Sequence, residues 1–282
     1  MKRVLVSIVL AAGLLVSCNS MKADSEKDQA VSNREKAVEL LNSIENGDPA
    51  PVGYINPNKY IQHNLAIGDG LAGFGEVLGQ LPEGSARVEV IRAFEDGDYV
   101  FTHTKYDFFG PKAGFDIFRF EDGLIVEHWD NLQEIVEKTA SGRTQFDGPA
   151  AIEDSEKTEE NKTLIGNFVK DILMGGNPGI ITDYISTEQY DQHNPAVKDG
   201  LAGLGEALAA MAEAGTPMVY TENHMILGEG NFVLSVSEGT FMNEHTAFFD
   251  LFRIKDGKIV EHWDTIEAIP AESEWKNSNG KF

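Results

Sequence analysis

Apolar side chains recur at helical spacing over residues 35–45, and a second helical stretch over residues 70–81 opens behind Asp69, a residue type that caps helix N-termini. The pattern then changes to short runs at residues 86–94, 98–108, 114–120 and 124–131, each bounded by turn residues, which predicts four strands. Helices first and antiparallel strands afterwards make an α+β unit, a curved sheet wrapped on its helices. Farther along, Leu164, Phe168 and Ile172 mark the apolar face of another helix, which begins somewhere between Thr158 and Lys162.

That second start belongs to a repeat. Tyr60-Ile61-Gln62-His63-Asn64 and Asp69-Gly70-Leu71-Ala72-Gly73 return as Tyr190-Asp191-Gln192-His193-Asn194 and Asp199-Gly200-Leu201-Ala202-Gly203. Residues 115–119 and 122–130 return as 249–253 and 256–264, in the same order and at nearly the same spacing. A period this long means two complete domains and not a solenoid. They are placed at residues 33–138 and 161–282. The linker, residues 139–160, carries Ser141-Gly142, Gly148-Pro149 and a run of acids.

The N-terminus reads as an export signal over residues 1–17. Lys2 and Arg3 precede an apolar run over residues 4–16, too short for the roughly 20 residues that cross a bilayer. It stops at Leu15-Val16-Ser17-Cys18, which resembles the lipobox of bacterial lipoproteins; that resemblance implies cleavage and lipidation of Cys18. An ordinary signal peptide with an incidental cysteine is the plainer alternative. Cys18 is the only cysteine, so the processed chain is left without a disulfide or a cysteine metal site. Residues 18–32 are polar and charged, a tether that cannot bury enough surface to fold. The expected location is the cell envelope, with the protein lipid-anchored on the periplasmic or surface face of a bacterial membrane. A formal charge of −23 repels phosphate backbones and makes nucleic acid an unsuitable partner.

The pattern of Gln62-His63-Asn64, Asp69-Gly70, Asp116-Ile117-Phe118-Arg119 and Asp122-Gly123 through Glu127-His128-Trp129-Asp130 resembles the SnoaL-like, polyketide-cyclase-like branch of the nuclear transport factor 2-like superfamily. The resemblance covers most of both units. It implies two cone-shaped domains, each enclosing a mostly apolar pocket for a small apolar molecule, packed through the outer faces of their sheets as an intramolecular pseudo-dimer. It leaves activity open, because that superfamily holds cyclases, isomerases and pure binders alike. In SnoaL-like cyclases a pocket aspartate is the acid/base and a histidine on the preceding strand assists it; Asp116 and His103 are the matching positions.

A type I turn at Glu121-Asp122-Gly123 would set Phe120 against Leu124 and Asp116 against His128. A two-residue turn would instead set Asp116 against Trp129. The first register groups Asp116 and Phe118 with Val126, His128 and Asp130 toward the pocket, and Ile117 and Arg119 with Glu127 and Trp129 outside. Proton abstraction next to a carbonyl, as in aldol-type cyclisation or isomerisation, needs a base and a donor for the enolate oxygen. Asp116 is the expected base, His128 its orienter, and His103 or His63 the donor. Asp250 and His262 take those roles in the second unit, where Val236 or Ser237 stands in place of His103, so that this unit reads as degenerate unless His245 substitutes. Asn64, Phe118 and Asp130, with His193, Asn194, Phe252, Asp264 and His245, are the expected ligand contacts.

Each has a plainer reading. His63 and His193 could satisfy backbone groups, Asp69 and Asp199 could be helix caps, and Trp129 and Trp263 packing residues. For Asp116, His128 and Asp130, structural pairing and function weigh equally. No cofactor is expected, and no metal, since no His-x-x-x-His pair is present. The competing function is a non-catalytic envelope lipoprotein that binds a small hydrophobic ligand or a protein partner.

Overall fold

The computed structural model describes residues 31–82 and 84–282; Cys18, the signal segment and most of the tether lie outside them. Helix α1 (Asn33–Asn46) starts at Ser32, whose hydroxyl accepts from the Glu35 N–H while the Glu35 carboxylate accepts from the Ser32 N–H. That reciprocal pair satisfies two backbone donors the helix would otherwise leave open. Its buried face, Ala37, Leu40 and Leu41, packs with Val88, Val100 and Phe118 from the inner side of the sheet.

The first lobe adds α2 (Gly70–Gln80) and a sheet of β1 (Ile61–Gln62), β2 (Arg87–Asp96), β3 (Tyr99–Asp107), β4 (Pro111–Glu121) and β5 (Leu124–Glu134), in the order β1-β5-β4-β3-β2. The second lobe has α3 (Thr158–Phe168), α4 (Ile181–Tyr184) and α5 (Gly200–Glu213), with β6 (Asp191–Gln192), β7 (Val219–Glu229), β8 (Phe232–Phe241), β9 (Glu244–Lys255) and β10 (Lys258–Ala268) in the order β6-β10-β9-β8-β7. The α+β class and the duplicated layout are therefore as the sequence predicts. Each sheet is nevertheless mixed and not purely antiparallel. The two-residue strands β1 and β6 run parallel to β5 and β10, setting Gln62 beside His128 and Gln192 beside His262. A strand of two residues is too short to show a period, and it is the strand that completes the site.

Neither predicted hairpin register holds. Asp122 and Gly123 both have positive φ, 50° and 75°, the backbone of a tight two-residue turn, and Glu121 pairs with Leu124. A bulge between the Phe120–Ile125 and Arg119–Glu127 pairs then moves β5 on by one residue, so that Asp116 faces Asp130 and Phe118 faces His128. The bulge restores Asp116, Phe118, His128 and Asp130 to one face. It takes Val126 out of that set, and Ile125 joins the inner core with Phe118 and Phe120.

The outer faces of the two sheets meet. Ile117, Phe101 and Trp129 from the first lobe share one buried cluster with Phe232, Leu251 and Trp263 from the second. Each lobe then sends the chain that follows its last strand across the other. Residues 139–147 lie on the second lobe, with Ala140 N–H donating to Pro195 O and Arg143 to Asp191 and Asp199. Residues 276–281 lie on the first, with Asn277 donating to Asn64 O and Ile67 O, and Asn279 to Gln62 O and Asp69. Much of the predicted linker is thus a strap, and the chain's last residues are its counterpart.

Asp69 and Asp199 occupy the N-cap positions of α2 and α5 without capping them. Their carboxylates accept from Gln62 N–H and Gln192 N–H and from strap residues Asn279 and Arg143. The strap competes for the oxygen that a cap would use.

Candidate active site

Each lobe encloses a hollow between the inner face of its sheet and its helices, about 80 Å³ in the first and about 180 Å³ in the second. Walls are apolar: Phe74, Leu78 and Phe108 in one, Leu204, Met211 and Met218 in the other. The floors carry the polar groups, from the end of the hairpin that the bulge re-aims.

In the first lobe, Asp116 Oδ1 lies 3.3 Å from His128 Nε2, and its Oδ2 accepts from Tyr106 Oη at 2.5 Å and from Thr102 Oγ1 at 3.3 Å. Asp130 Oδ2 accepts from Asn64 Nδ2 at 2.6 Å. In the second lobe, Asp250 Oδ1 lies 3.0 Å from His262 Nε2, Tyr220 Oη stands 3.2 Å from Asp250 Oδ2, and Asp264 Oδ2 accepts from Asn194 Nδ2 at 2.6 Å. Phe118 and Phe252 stack on the two imidazoles at centroid distances of 4.7 and 4.9 Å. All these floor residues are buried except Asn64, which is half-buried.

The proton on each imidazole can be located from the glutamine. Gln192 Oε1 accepts from the Asn194 backbone N–H at 3.1 Å, so this atom is an acceptor, and His262 Nδ1, 2.9 Å from it, is the donor. The Nε2–Asp250 contact then holds one further proton, as imidazolium and carboxylate or as imidazole and carboxylic acid. Burial opposes charge on His262, but the Asp250 hydrogen bond and the Asp264 and Asp250 carboxylates outweigh it and raise its pKa above the ordinary imidazole value. Burial pushes Asp264 up to about 6, with His262 pulling the other way. Gln62 fixes His128 identically, accepting from Asn64 N–H at 2.8 Å with His128 Nδ1 at 3.1 Å.

The tyrosines were not foreseen, and the two lobes supply them differently. Tyr106 is on β3, opposite Val88 of β2. Tyr220 is on β7, which corresponds to β2, opposite Gly239. A hydroxyl reaches the floor aspartate in both lobes, from opposite members of the same cross-strand pair. Gln62 and Gln192, also missed, could have been found by alternation along β1 and β6, since inward Gln and Asn flank an outward His.

Four of the predicted histidines lie off the floors. His63 and His193 point to the interface, where Nε2 meets Glu127 and Glu261 at 3.0 and 2.9 Å, Nδ1 meets strap carbonyls Gly280 O and Thr144 O, and the rings stack on Trp129 and Trp263. Arg119 and Arg253 complete those clusters on Glu127 and Glu261. His103 is buried between the lobes, its ring on Phe115 and Phe146 and its Nδ1 accepting from Arg92 Nη1 at 3.0 Å. Burial and the neighbouring Arg92 guanidinium hold its pKa well below the ordinary value, so it is neutral and sealed from the hollow. His245 is on the surface beside Glu238. Because His103 belongs to the interface, Val236 in its place costs the second lobe nothing, and the lobe read as degenerate has the complete floor and the larger hollow.

Asp116, His128 and Asp130, and equally Asp250, His262 and Asp264, each offer one donor atom within 4.8 Å of the others. Those donor types suit a divalent ion. One proton in each Asp–His contact satisfies the same geometry without an ion.

No protein-family model and no curated protein matches the chain. Solved structures do. An NTF2-like protein of unknown function from Cytophaga hutchinsonii is 15% identical, with a TM-score of 0.33, over 38% of this chain and 94% of its own. A candidate SnoaL-like polyketide cyclase from Jannaschia sp. CCS1 is 16% identical, with a TM-score of 0.30, over 36% and 85%. A candidate ketosteroid isomerase from Kribbella flavida is 15% identical, with a TM-score of 0.33, over 43% and 91%.

Proposed function

We propose that each hollow takes a small, mostly apolar carbonyl compound and moves a proton on it, by isomerisation or aldol-type cyclisation, and that the chain does this at the cell envelope, lipid-anchored through Cys18. One observation carries the chemical part: a carboxyl–imidazole–carboxyl set, built identically in both lobes, at the floor of an otherwise apolar hollow. Such a set is costly to bury and contributes little to stability that apolar packing could not.

The roles differ from the sequence expectation. Asp116 and Asp250 each accept from a tyrosine hydroxyl and face a histidine Nε2, so their oxygens are already engaged. Asp130 and Asp264 hold one amide hydrogen bond each, and their Oδ1 atoms have no hydrogen-bond partner among the described residues. Asp264, with a pKa near neutrality, is the base that takes the proton next to the carbonyl. His262, anchored by Asp250 and Gln192, lies beside the enolate oxygen and stabilises its charge, and Asp264 returns the proton it took to carbon. Asp130 and His128 do the same in the first lobe on a smaller substrate.

The test is solvent exchange. The protein is incubated with cyclic ketones and β-dicarbonyl compounds in deuterated water, and deuterium at the α-carbon is followed by NMR. Exchange above the buffer rate is expected and is lost when Asp130→Asn and Asp264→Asn are combined. Saturable binding without exchange would replace this reading with the binder. Anchoring is tested separately by metabolic labelling with a fatty acid, which Cys18→Ser should abolish.

A further inference from the structure

The chain has seven histidines. His128 and His262 belong to the floors, and His63, His193 and His103 to the interface. The remaining two converge on a single carboxylate of the second sheet: His224 Nε2 lies 2.9 Å from Glu238 Oε2, and His245 Nε2 lies 2.6 Å from Glu238 Oε1. Glu222 stands directly across the β7–β8 ladder from Glu238. Glu222, His224 and Glu238 each offer one donor atom within 4.8 Å of the others.

The first lobe shows that the fold does not need this arrangement. Its corresponding ladder pair is Glu89 opposite Lys105, which neutralises itself, and the positions of His224 and His245 are held by Ile91 and Pro111. In the second lobe two carboxylates face each other, a pairing that destabilises a sheet, with Glu238 at the position of Lys105 and two imidazoles against it. Two imidazoles and two carboxylates are the donor set of a borderline divalent ion.

We propose that Glu222, His224, Glu238 and His245 form a surface site for a divalent transition-metal ion, with zinc as the best match. His245 is half exposed and free to turn from Glu238 toward an ion held by the other three. The His224 ring also stacks on Phe282, the last residue of the sequence, at 4.0 Å. An ion here would fasten the end of the strap that carries Gly280 and Lys281 onto the first lobe.

The experiment is calorimetric titration of the full chain, stripped with a chelator, with zinc chloride near neutral pH and with magnesium chloride as control. One zinc per chain is expected to bind at micromolar concentration, with no heat from magnesium. The paired substitution His224→Ala and His245→Ala should weaken zinc at least about tenfold, the scale on which even outer-shell partners act, and Glu238→Gln should do the same. Zinc should raise the thermal midpoint of the parent chain and not that of either variant, whose midpoints without metal report that they fold. Unchanged zinc affinity in both variants overturns the site. So does loss of binding in His262→Gln with the surface residues intact, which would put the ion in the hollow. No uptake at micromolar zinc overturns it as well.

Discussion

Tyr106 and Tyr220 bring a phenol to equivalent aspartates from neighbouring strands, one on β3 and the other on the counterpart of β2. The reason Tyr220 does not stand at position 239 is steric: a Cβ there would lie 1.8 Å from Val219 O. The hydroxyl is kept although the residue that supplies it has moved, which marks the contact itself as the requirement. Burial and the adjacent aspartate raise both phenol pKa values, so each phenol donates throughout the physiological range. Tyr106→Phe and Tyr220→Phe should each destabilise by about 1–3 kcal/mol, the cost of a donor lost to a buried charged acceptor, as read from denaturant midpoints. Gly239→Ala should destabilise more than either, because its clash is with backbone.

Asp264 predicts the sign of a pH effect. Its pKa is about 6 in the folded protein against an ordinary 3.8. Between those values the folded state holds a proton that the unfolded chain has released, so stability falls as pH rises across this window. His262 acts in the same direction. Its raised pKa contributes stability that is complete below the ordinary value of 6.5 and is lost as pH rises through the folded value. Asp264→Asn should therefore flatten the urea midpoint between about pH 4 and pH 7, and gain on the order of 2–3 kcal/mol over the parent near neutrality. The proposed exchange reaction runs the other way, rising as Asp264 ionises, so the stabler variant is the inactive one.

The fold class was legible because duplication prints every pattern twice, and the pairing of the sheets because Ile117 and Trp129 fall on the face opposite Asp116. What escaped is where local pattern is weakest. β1 has two residues, and the bulge near Val126 leaves no mark in a run of apolar residues. His63 looked like a site residue because it recurs with Gln62 and Asn64; alternation along β1 sends those two inward and His63 outward. His103 could not be read at all, since its cross-strand neighbour Arg92 is held by carbonyls of the strap and Phe146, which stacks on its ring, comes from that strap as well.

The interface histidines give a prediction that separates scaffold from chemistry. His193 is wholly buried, with both ring nitrogens partnered and Trp263 against its face. His193→Ala should cost about 2–4 kcal/mol through lost packing and a Glu261 Oε1 left without its partner, lowering the thermal midpoint and loosening residues 139–147 in hydrogen exchange. Turnover per folded molecule should stay at the parent value. A selective loss of turnover would return His193 to the site.

Lys281 distinguishes the two lobes. Its ammonium is buried 2.6 Å from Glu267 Oε2, donates to Asp130 O at 2.8 Å, and lies 3.9 Å from Asp130 Oδ1. The corresponding strap position on the second lobe is the neutral Gln145, bonded to Val136 N–H and Glu134 O. Burial raises the Glu267 pKa, Lys281 pulls it down, and Asp130 pushes it up again, for a net rise. Lys281→Met leaves two carboxylates near one another without their cation, and breaking a pair of this kind costs about 3 kcal/mol near neutral pH. The sign follows from linkage. Without Lys281 the Glu267 pKa climbs further, the folded state takes up a proton that the unfolded chain does not hold, and the deficit shrinks on acidification to about pH 5. Denaturant midpoints of the parent and Lys281→Met chains at the two pH values measure it. A deficit that stays constant between them would mean that Lys281 acts by packing its stem, not by its charge.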